Sequence, residues 1–274
     1  MAQRITPLHP TPGEPCTLEG TYLTAPLAPE EHQGLFVYAN FVTSLDGRIA
    51  EHGADGVDAV PDDIANPRDW RLFQELAARA DVLISSGRYF RDLEAGRAQD
   101  VLPVGTTGAF ADLRAWRREQ GLREQPDVAI ISATLDFTVP ALLRRQGRRI
   151  LVLTGSDADV ERRRAREAEG ADVVVVSSGA GVRGADATRA LAERGYRHAY
   201  SVTGPWVLQT LVADGCLDTL FLTTVPRLIG GRGYTSIFEG ERLSPAADWR
   251  LRWLYHDPHA PGPGGQFFAR YDRP

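Results

Sequence analysis

The sequence contains no lysine, since arginine supplies all 31 basic residues of the 274-residue chain. This absence excludes catalysis through a lysine Schiff base and excludes a P-loop, because both need a lysine side chain. The only cysteines are Cys16 and Cys216, which lie far apart and form no CxxC pair. They offer neither a metal site nor a disulfide framework, and they predict a reducing compartment.

Long apolar segments and a charge excess are also lacking. No uncharged apolar run approaches the roughly 18–20 residues of a membrane helix, and the amino-terminal segment lacks the apolar core of a signal peptide. The net charge of −5 comes from interspersed charges of both signs. No basic field therefore favours nucleic acid. The sequence predicts a soluble, cytoplasmic protein with neither a nucleic-acid nor a membrane partner.

From residue 36 onward, short apolar runs alternate with amphipathic helical stretches. Near-continuous apolar runs, such as residues 172–177, are typical of strands buried on both faces of a parallel sheet. Residues 249–257 and 266–271 instead alternate around a Pro/Gly-rich loop, which predicts an antiparallel hairpin. We therefore expect one three-layer α/β/α domain over residues 35–274, with a largely parallel mixed sheet. Residues 1–34 hold six prolines and are predicted to be an arm on the domain surface.

One glycine-rich segment matches a dinucleotide fingerprint. Residues 179–184 follow a predicted strand, precede a helix and read GxGxxG. Such glycines let the backbone approach a pyrophosphate. However, no acidic residue ends the next strand, where a ribose hydroxyl would need it. The segment also comes late in the sheet, so a loop without this role is favoured.

A second candidate is the turn at Gly204 and Pro205, where a strand leads directly into a helix. The backbone N–H groups of Trp206, Val207 and Leu208 would point outward with the positive end of the helix dipole, which suits a phosphate. A plain tight turn explains the same residues equally well.

Two further segments end predicted strands. Residues 43–48 follow the first strand of the domain, at the sheet edge where ligands of open α/β folds bind. The alternative is a simple turn in which Asp46 bonds its own backbone. Residues 226–233 form a glycine-rich loop that is either a turn or ligand-facing. His256 and His259 flank a proline, which favours a hairpin tip over a metal site, and no metal is expected.

Three of these motifs occur in an order that resembles a known family. They are ANFVTSLDGRIA at residues 39–50, the turn at Gly204, and DGCLDTL at residues 214–220 followed by PRLIGG at residues 226–231. Together they resemble the reductase domain of the bacterial riboflavin-biosynthesis deaminase/reductase, from about residue 35 to the end of the chain. The resemblance implies a dihydrofolate-reductase-like fold, a homodimer and NADPH as cofactor. It also implies reduction of the ribose of a ribosylaminopyrimidine phosphate.

The resemblance implies a set of cofactor-binding residues. The nicotinamide is expected near Thr43 and Asp46, and the diphosphate on the turn that begins at Gly204. Arg88 replaces a threonine of the family and could pair with a phosphate through two parallel hydrogen bonds. The full predicted set is Val42, Thr43, Arg88, Asp92, Ser132, Gly204, Pro205, Trp206, Val207 and Leu208.

On the substrate side the sequence departs from the family. The predicted substrate residues are Ser44, Arg79 and Val202. Val202 stands where the family has a glutamate, and Arg79 lies near, not at, the position of a family arginine. Each charge-assisted hydrogen bond lost in this way is worth about 1.5–3 kcal/mol, so the riboflavin intermediate should be a poor substrate.

These residues favour an NAD(P)H-dependent reductase, in which hydride passes to a small heterocyclic or sugar-like molecule. Asp46 is the predicted catalytic residue, either orienting a substrate amide or relaying a proton. The choice among NADPH, NADH and a deazaflavin stays open. The alternative is a dimeric nucleotide-binding protein without turnover.

Overall fold

The computed structural model describes residues 4–53, 58–98 and 104–274. Its strands are β1 (Arg4–His9), β2 (Cys16–Thr17), β3 (Phe36–Ser44), β4 (Ala50–His52), β5 (Asp58–Ala59), β6 (Val82–Ser86), β7 (Asp127–Ile131), β8 (Ile150–Gly155), β9 (Asp172–Ser177), β10 (His198–Ser201), β11 (Thr219–Val225), β12 (Tyr234–Thr235), β13 (Arg250–Asp257) and β14 (Gln266–Asp272). Its helices are α1 (Thr21–Thr24), α2 (Pro67–Arg79), α3 (Gly87–Glu94), α4 (Ala111–Glu119), α5 (Ala141–Arg145), α6 (Val160–Ala168), α7 (Gly184–Ala192) and α8 (Pro205–Ala213), with a 3-10 turn at Gly108–Phe110. Within these ranges no helix combines the length and apolar character that crossing a membrane requires.

The described strands form one large mixed sheet and one small one. The large sheet has the order β2-β1-β13-β14-β11-β3-β10-β6-β7-β8-β9. Strands β11, β3, β10, β6, β7, β8 and β9 pair in parallel, whereas β13 and β14 form an antiparallel hairpin against β11. The predicted parallel sheet and C-terminal hairpin are confirmed. The prediction that residues 172–177 are buried on both faces is wrong, because β9 is an edge strand whose residues are exposed or half-buried. Strands β4, β5 and β12 form the small antiparallel sheet.

Two apolar cores cover the two faces of the large sheet. One includes Leu72 of α2 and Leu113 of α4, and the other includes Leu191 of α7 and Leu208 of α8. Because neighbouring residues of a strand point to opposite faces, the uniformly apolar strands supply both cores. The three-layer α/β/α architecture is therefore confirmed.

Part of the amino-terminal arm is built into the domain, which corrects its predicted place on the surface. Strand β1 pairs with β13, and Ile5 and Leu18 are fully buried. The ring of Tyr22 packs 5.0 Å from that of Phe221. The Glu75 carboxylate accepts hydrogen bonds from the backbone N–H groups of Gly20 and Tyr22. The arm is held because the hairpin offers β1 an unpaired edge, which a proline count does not show.

The connections that leave β3 and β10 open a crevice. These strands are neighbours, yet β3 is followed by α2 on one face and β10 by α8 on the other. Loops that leave adjacent strands toward opposite faces separate at the carboxyl ends of the strands, where α/β proteins bind ligands. The fold therefore places a candidate site at the carboxyl ends of β3, β10 and β6.

Candidate active site

With one exception, the predicted site residues lie along the carboxyl edge of the parallel strands. They come from four neighbouring strands and the turns that follow them. The residues at this edge are Val42, Thr43 and Ser44 at the end of β3 and Asp46 after it, Val202, Gly204, Pro205, Trp206, Val207 and Leu208 after β10, Arg88 and Asp92 after β6, and Ser132 after β7. The tertiary structure thus brings together segments that are far apart in the chain.

Arg79 is the exception, because it lies in the last turn of α2. The helix begins near the carboxyl edge and carries Arg79 about 20 Å away, at about 1.5 Å for each of its 13 residues. There the Arg79 guanidinium donates to the backbone carbonyls of Tyr22 and Ala25. Arg79 therefore holds the amino-terminal arm, and the structure does not bring it to the predicted substrate residues.

The Asp46 carboxylate joins two loops at the edge of the crevice. It accepts hydrogen bonds from Ser44 Oγ at 2.6 Å, Arg48 Nε at 2.9 Å, Gly230 N at 2.9 Å and Ile229 N at 3.3 Å. These donors hold the pKa of Asp46 well below its usual range. A carboxylate that stays ionised is poorly suited to relaying protons near neutral pH. A catalytic role for Asp46 stays a prediction, and these contacts favour a role in anchoring the loops.

Arg48 continues this connection into the glycine-rich loop. Its guanidinium is buried, donates to the carbonyl of Gly231 at 2.7 Å and lies 4.2 Å from the ring centre of Tyr234. Asp46 and Arg48 together fix the loop after β11 to the turn after β3. The loop therefore forms a supported wall of the crevice.

The start of α8 lacks a side-chain cap, as do those of α1, α4, α5 and α7, and in this it differs from the starts of α2, α3 and α6. Side chains of Asn66, Ser86 and Asp159 cap those three helices, whereas no side chain caps α8. A Cβ atom added at Gly204 would meet no heavy atom within 4 Å. Free space, uncapped backbone N–H groups and the positive end of the helix dipole suit a phosphate group.

The GxGxxG segment has a packing role. A Cβ at Gly184 would lie 2.6 Å from the backbone oxygen of Thr210, so glycine permits the close approach of α7 to α8. The Asp214 carboxylate accepts from the backbone N–H of Ala185 at 3.0 Å, at the start of α7. A negative charge already occupies that helix end and would repel a pyrophosphate. This contact favours the interpretation of the segment as a loop without a phosphate role.

Arg88 and Asp92 contact each other in the first turns of α3. Arg88 pairs with Asp58 at 2.9 Å and with Asp92 at 3.8 Å, and Asp92 also pairs with Arg97 at 2.9 Å. The Arg88 side chain is exposed. A phosphate bound there would compete with Asp58 for the guanidinium.

Ser132 supports the neighbouring turn. Its buried hydroxyl accepts from the backbone N–H of Leu135 at 3.0 Å. A Cβ at Gly87 would lie 2.6 Å from Ser132 Oγ, so the start of α3 packs directly on the end of β7. Ser132 thus shapes the floor beside Arg88.

The C-terminal hairpin positions the start of α2 over the sheet. Asn66 caps the helix and donates to Gln266 Oε1 at 2.8 Å. Arg68 makes two hydrogen bonds of 2.6 Å to the fully buried Asp257 carboxylate. Asp257 follows His256 in the chain, and its carboxylate is held by Arg68 of α2. Among the described residues, no cluster of three or more metal-binding side chains is found.

Asp69 is the residue that sequence reasoning missed. It lies in the first turn of α2, is 9% exposed, and its Oδ1 has no hydrogen-bond partner. Burial raises the pKa of Asp69 to about 6, although a hydrogen bond from Thr223 opposes the shift. An acidic residue after a helix cap ordinarily faces solvent and favours the helix dipole. Only the docking of α2 on β11 reveals that this one is buried.

These features define an α/β protein whose candidate site lies at the carboxyl ends of its parallel strands, where proteins of this architecture bind ligands. The chain belongs to the RibD C-terminal domain family, whose model matches residues 35–258. This match confirms the resemblance drawn from the motifs.

Solved structures share this fold at low sequence identity. A pyrimidine reductase-like protein from Corynebacterium diphtheriae has a TM-score of 0.65 and 19% identity, over 88% of this chain and 92% of that one. The riboflavin biosynthesis reductase Rib7 of Saccharomyces cerevisiae has a TM-score of 0.59 and 14% identity, over 90% and 93%. RibD of Acinetobacter baumannii has a TM-score of 0.59 and 13% identity, over 88% of this chain but 58% of that one. No curated protein matches the chain in sequence.

Proposed function

We propose that this protein is an NADPH-dependent reductase of the pyrimidine-reductase type. Hydride would be delivered to the carbon of a C=N or C=O bond in a small heterocyclic or ribosylamino substrate. Family membership supports the reaction class, and the crevice between β3 and β10 supports a small-molecule substrate. A cytoplasmic location and a homodimer stay predictions.

The proposed cofactor rests on one observation: no side chain caps the backbone N–H groups at the start of α8. The residues there fit a diphosphate, because Gly204 leaves space and the first N–H groups of the helix have no side-chain cap. When bound, NADPH supplies the hydride. Thr43 would border the nicotinamide, and Arg88, Asp92 and Ser132 would lie toward the adenosine. Val42 and the residues from Pro205 to Val207 would complete the contact. Leu208, predicted to join them, is instead buried in the core, and its backbone N–H donates to the carbonyl of Gly204 at 3.4 Å.

On the substrate side the chain offers an opening with an apolar residue, Val202, where the family has a glutamate. Val202 is half-buried and packs on the core that also contains Leu72. The Ser44 hydroxyl already donates to Asp46, so it supports the loop wall. An opening of this kind favours a less polar or non-phosphorylated acceptor over the riboflavin intermediate.

Steady-state oxidation of NADPH, measured across a panel of pterins, pyrimidines and quinones, tests this function. We expect turnover on at least one member and measurable binding of NADPH in its absence. Bound nucleotide with no turnover on any acceptor would favour the nucleotide-binding alternative. The absence of nucleotide binding would contradict both.

A further inference from the structure

A partly enclosed cavity of about 330 Å³ lies at the amino edge of the large sheet, between the first residues of β8 and β9 and the segment that follows α7. We propose that this cavity binds a small phosphate monoester with an aromatic body. The site is separate from the crevice, and the proposal stands whether or not the protein is a reductase. It rests on an apolar wall and on an excess of guanidinium groups over carboxylates.

The cavity and the crevice lie at opposite ends of the parallel strands. Ile150 begins β8 and lines the cavity, whereas Gly155 ends the strand at the carboxyl edge. The six residues of this strand span about 20 Å, at about 3.3 Å for each residue. A small ligand in the cavity therefore cannot touch the residues proposed to hold NADPH, and it needs a recognition chemistry of its own.

The inner wall of the cavity is apolar. Ile150 and Leu151 line it, and both side chains are buried. Tyr196 supplies an aromatic wall and packs against the core that contains Leu191. The cavity is at the lower end of the range for small-molecule sites, which is about 300–1,000 Å³. It suits a ligand the size of one substituted ring, whose body packs on these side chains.

Two arginines line the cavity and keep donors for a ligand. The Arg149 side chain is exposed, and its guanidinium makes no hydrogen bond or ion pair in the part of the chain that the structure describes. Arg194 donates through Nη1 to the carbonyl of Ala190 at 3.0 Å, and its Nε lies 3.7 Å from Asp172 Oδ2. Because a solvent-exposed pair at this distance is weak, an anion can contact both guanidinium groups without breaking a strong ion pair.

The carboxylates near the cavity do not cancel this positive charge. Asp127 is buried and already accepts hydrogen bonds from Arg149 N at 2.8 Å, Arg123 Nη1 at 3.0 Å and the Tyr196 hydroxyl at 2.9 Å. Asp172 lines the cavity, but its side chain is 66% exposed and is therefore screened by water. The cavity thus presents a net positive charge to a ligand.

The number of guanidinium groups favours a phosphate over a carboxylate. Arg144 also borders the cavity, since a Cβ added at Gly170 would lie 3.6 Å from its Nη1. A carboxylate has two oxygens, which one guanidinium fork satisfies, whereas a phosphate monoester offers three terminal oxygens to several arginines. Burial and the charge of Asp127 raise the pKa of Tyr196, so its hydroxyl stays neutral and adds no repulsion. The cavity therefore favours a phosphate on its charged side and a ring on its apolar side.

The test uses three probes in the full chain, at pH 7.5 and constant ionic strength. Phenyl phosphate carries the ring and the charge, benzyl alcohol keeps the ring without the charge, and inorganic phosphate keeps the charge without the ring. Binding is followed through the backbone amide signals of Gly170 and Asp172, which report on this cavity and not on the start of α8. We expect wild type to bind phenyl phosphate at least tenfold more tightly than benzyl alcohol and at least threefold more tightly than inorganic phosphate.

Arg149→Gln and Arg194→Gln should each weaken the binding of phenyl phosphate at least fivefold. Arg164→Gln is the matched control and should keep the affinity, because Arg164 lies outside the cavity in an exposed pair with Glu161. Gly204→Asp should also keep it, which separates this site from the proposed cofactor site.

Thermal unfolding of each variant shows whether it folds. Arg149→Gln carries the test if Arg194→Gln does not fold, since the exposed Arg149 guanidinium has no bond to lose among the described residues. Equal affinity of wild type for phenyl phosphate and either of the other probes overturns the proposal. Binding of phenyl phosphate that survives Arg149→Gln overturns it as well.

Discussion

Arg68 and Asp257 form a buried ion pair in which Nε–Oδ2 and Nη2–Oδ1 are both 2.6 Å. The pair joins the first turn of α2 to the last residue of β13. Since Asp69 follows Arg68 directly, the C-terminal hairpin determines where the Asp69 carboxylate lies. A residue near the end of the chain thereby positions the first turn of α2 over the sheet.

Replacing Asp257 should destabilise the fold strongly. In Asp257→Asn the Arg68 guanidinium loses its buried counter-charge, and removing one partner of such a pair costs about 3–5 kcal/mol. Denaturant unfolding measures the free energy of unfolding. The exposed pair of Glu161 and Arg164 provides the control, because Glu161→Gln should cost about 0–1 kcal/mol. Equal effects of the two substitutions would contradict the importance of the buried pair.

Gly204→Asp should weaken NADPH binding at least tenfold, or about 1.4 kcal/mol. The substitution puts a negative charge at the uncapped start of α8, where the diphosphate is proposed to bind. The backbone φ of −74° and the open space around Gly204 allow aspartate without a clash. Calorimetry with NADPH gives the affinity. Gly181→Asp is the control and should leave the affinity for NADPH unchanged, since Gly181 is equally open but lies before α7. An unchanged affinity in folded Gly204→Asp would show that this turn does not bind the cofactor.

The stability of the protein should carry a pH signature of Asp69. Its pKa is raised from an ordinary 3.8 to about 6, so the folded state holds this proton more tightly than the unfolded chain does. The contribution of this bound proton to the stability of the fold is complete below pH 3.8 and is lost as the pH rises through about 6. The free energy of unfolding of wild type minus that of Asp69→Asn should therefore fall by about 3 kcal/mol between pH 3.5 and pH 7.5. If this difference in the free energy of unfolding does not change with pH, the pKa of Asp69 is not raised in the folded protein.

The riboflavin intermediate should be reduced poorly. Val202 cannot form the hydrogen bonds of the family glutamate, and unpaired polar groups discriminate strongly against a ligand. Steady-state reduction of the ribosylaminopyrimidine phosphate with NADPH gives kcat/KM. A value of about 10⁴ M⁻¹s⁻¹ or more, together with rescue of a riboflavin auxotroph, would show that the substrate prediction is wrong.

We expect a homodimer with about twice the 30.0 kDa mass of one chain. The apolar C-terminal strands are covered, since β13 lies between β1 and β14. Strand β9, by contrast, is at the edge of the sheet, and its Val175 is 45% exposed. Light scattering at micromolar concentration measures the mass. Val175→Arg should produce monomers, whereas Val160→Arg, at an exposed position of α6, should leave the dimer intact. If the wild-type protein has the mass of a single chain, the dimer prediction is wrong.

Local patterns in the chain were enough to predict most of the architecture. The apolar runs predicted the parallel strands because a strand buried on both faces must be apolar at nearly every position. Alternation predicted the C-terminal hairpin. The turns after β3 and β10 were predicted as candidate ligand-binding segments because they end parallel strands, and the sheet brings them to one edge.

Long-range packing decided the rest. The same residue type has opposite roles at Asp46 and Asp69, because one carboxylate receives four donors while the other has a buried oxygen without any. Similarly, Arg79 lies far from the crevice because the full length of α2 separates it from Asn66. Burial and hydrogen-bond partners depend on which distant segment docks against a residue. Here hydrogen-bonded partners are up to 244 positions apart, as Pro26 and Arg270 are. The periodicity of a single segment carries no record of such a partner.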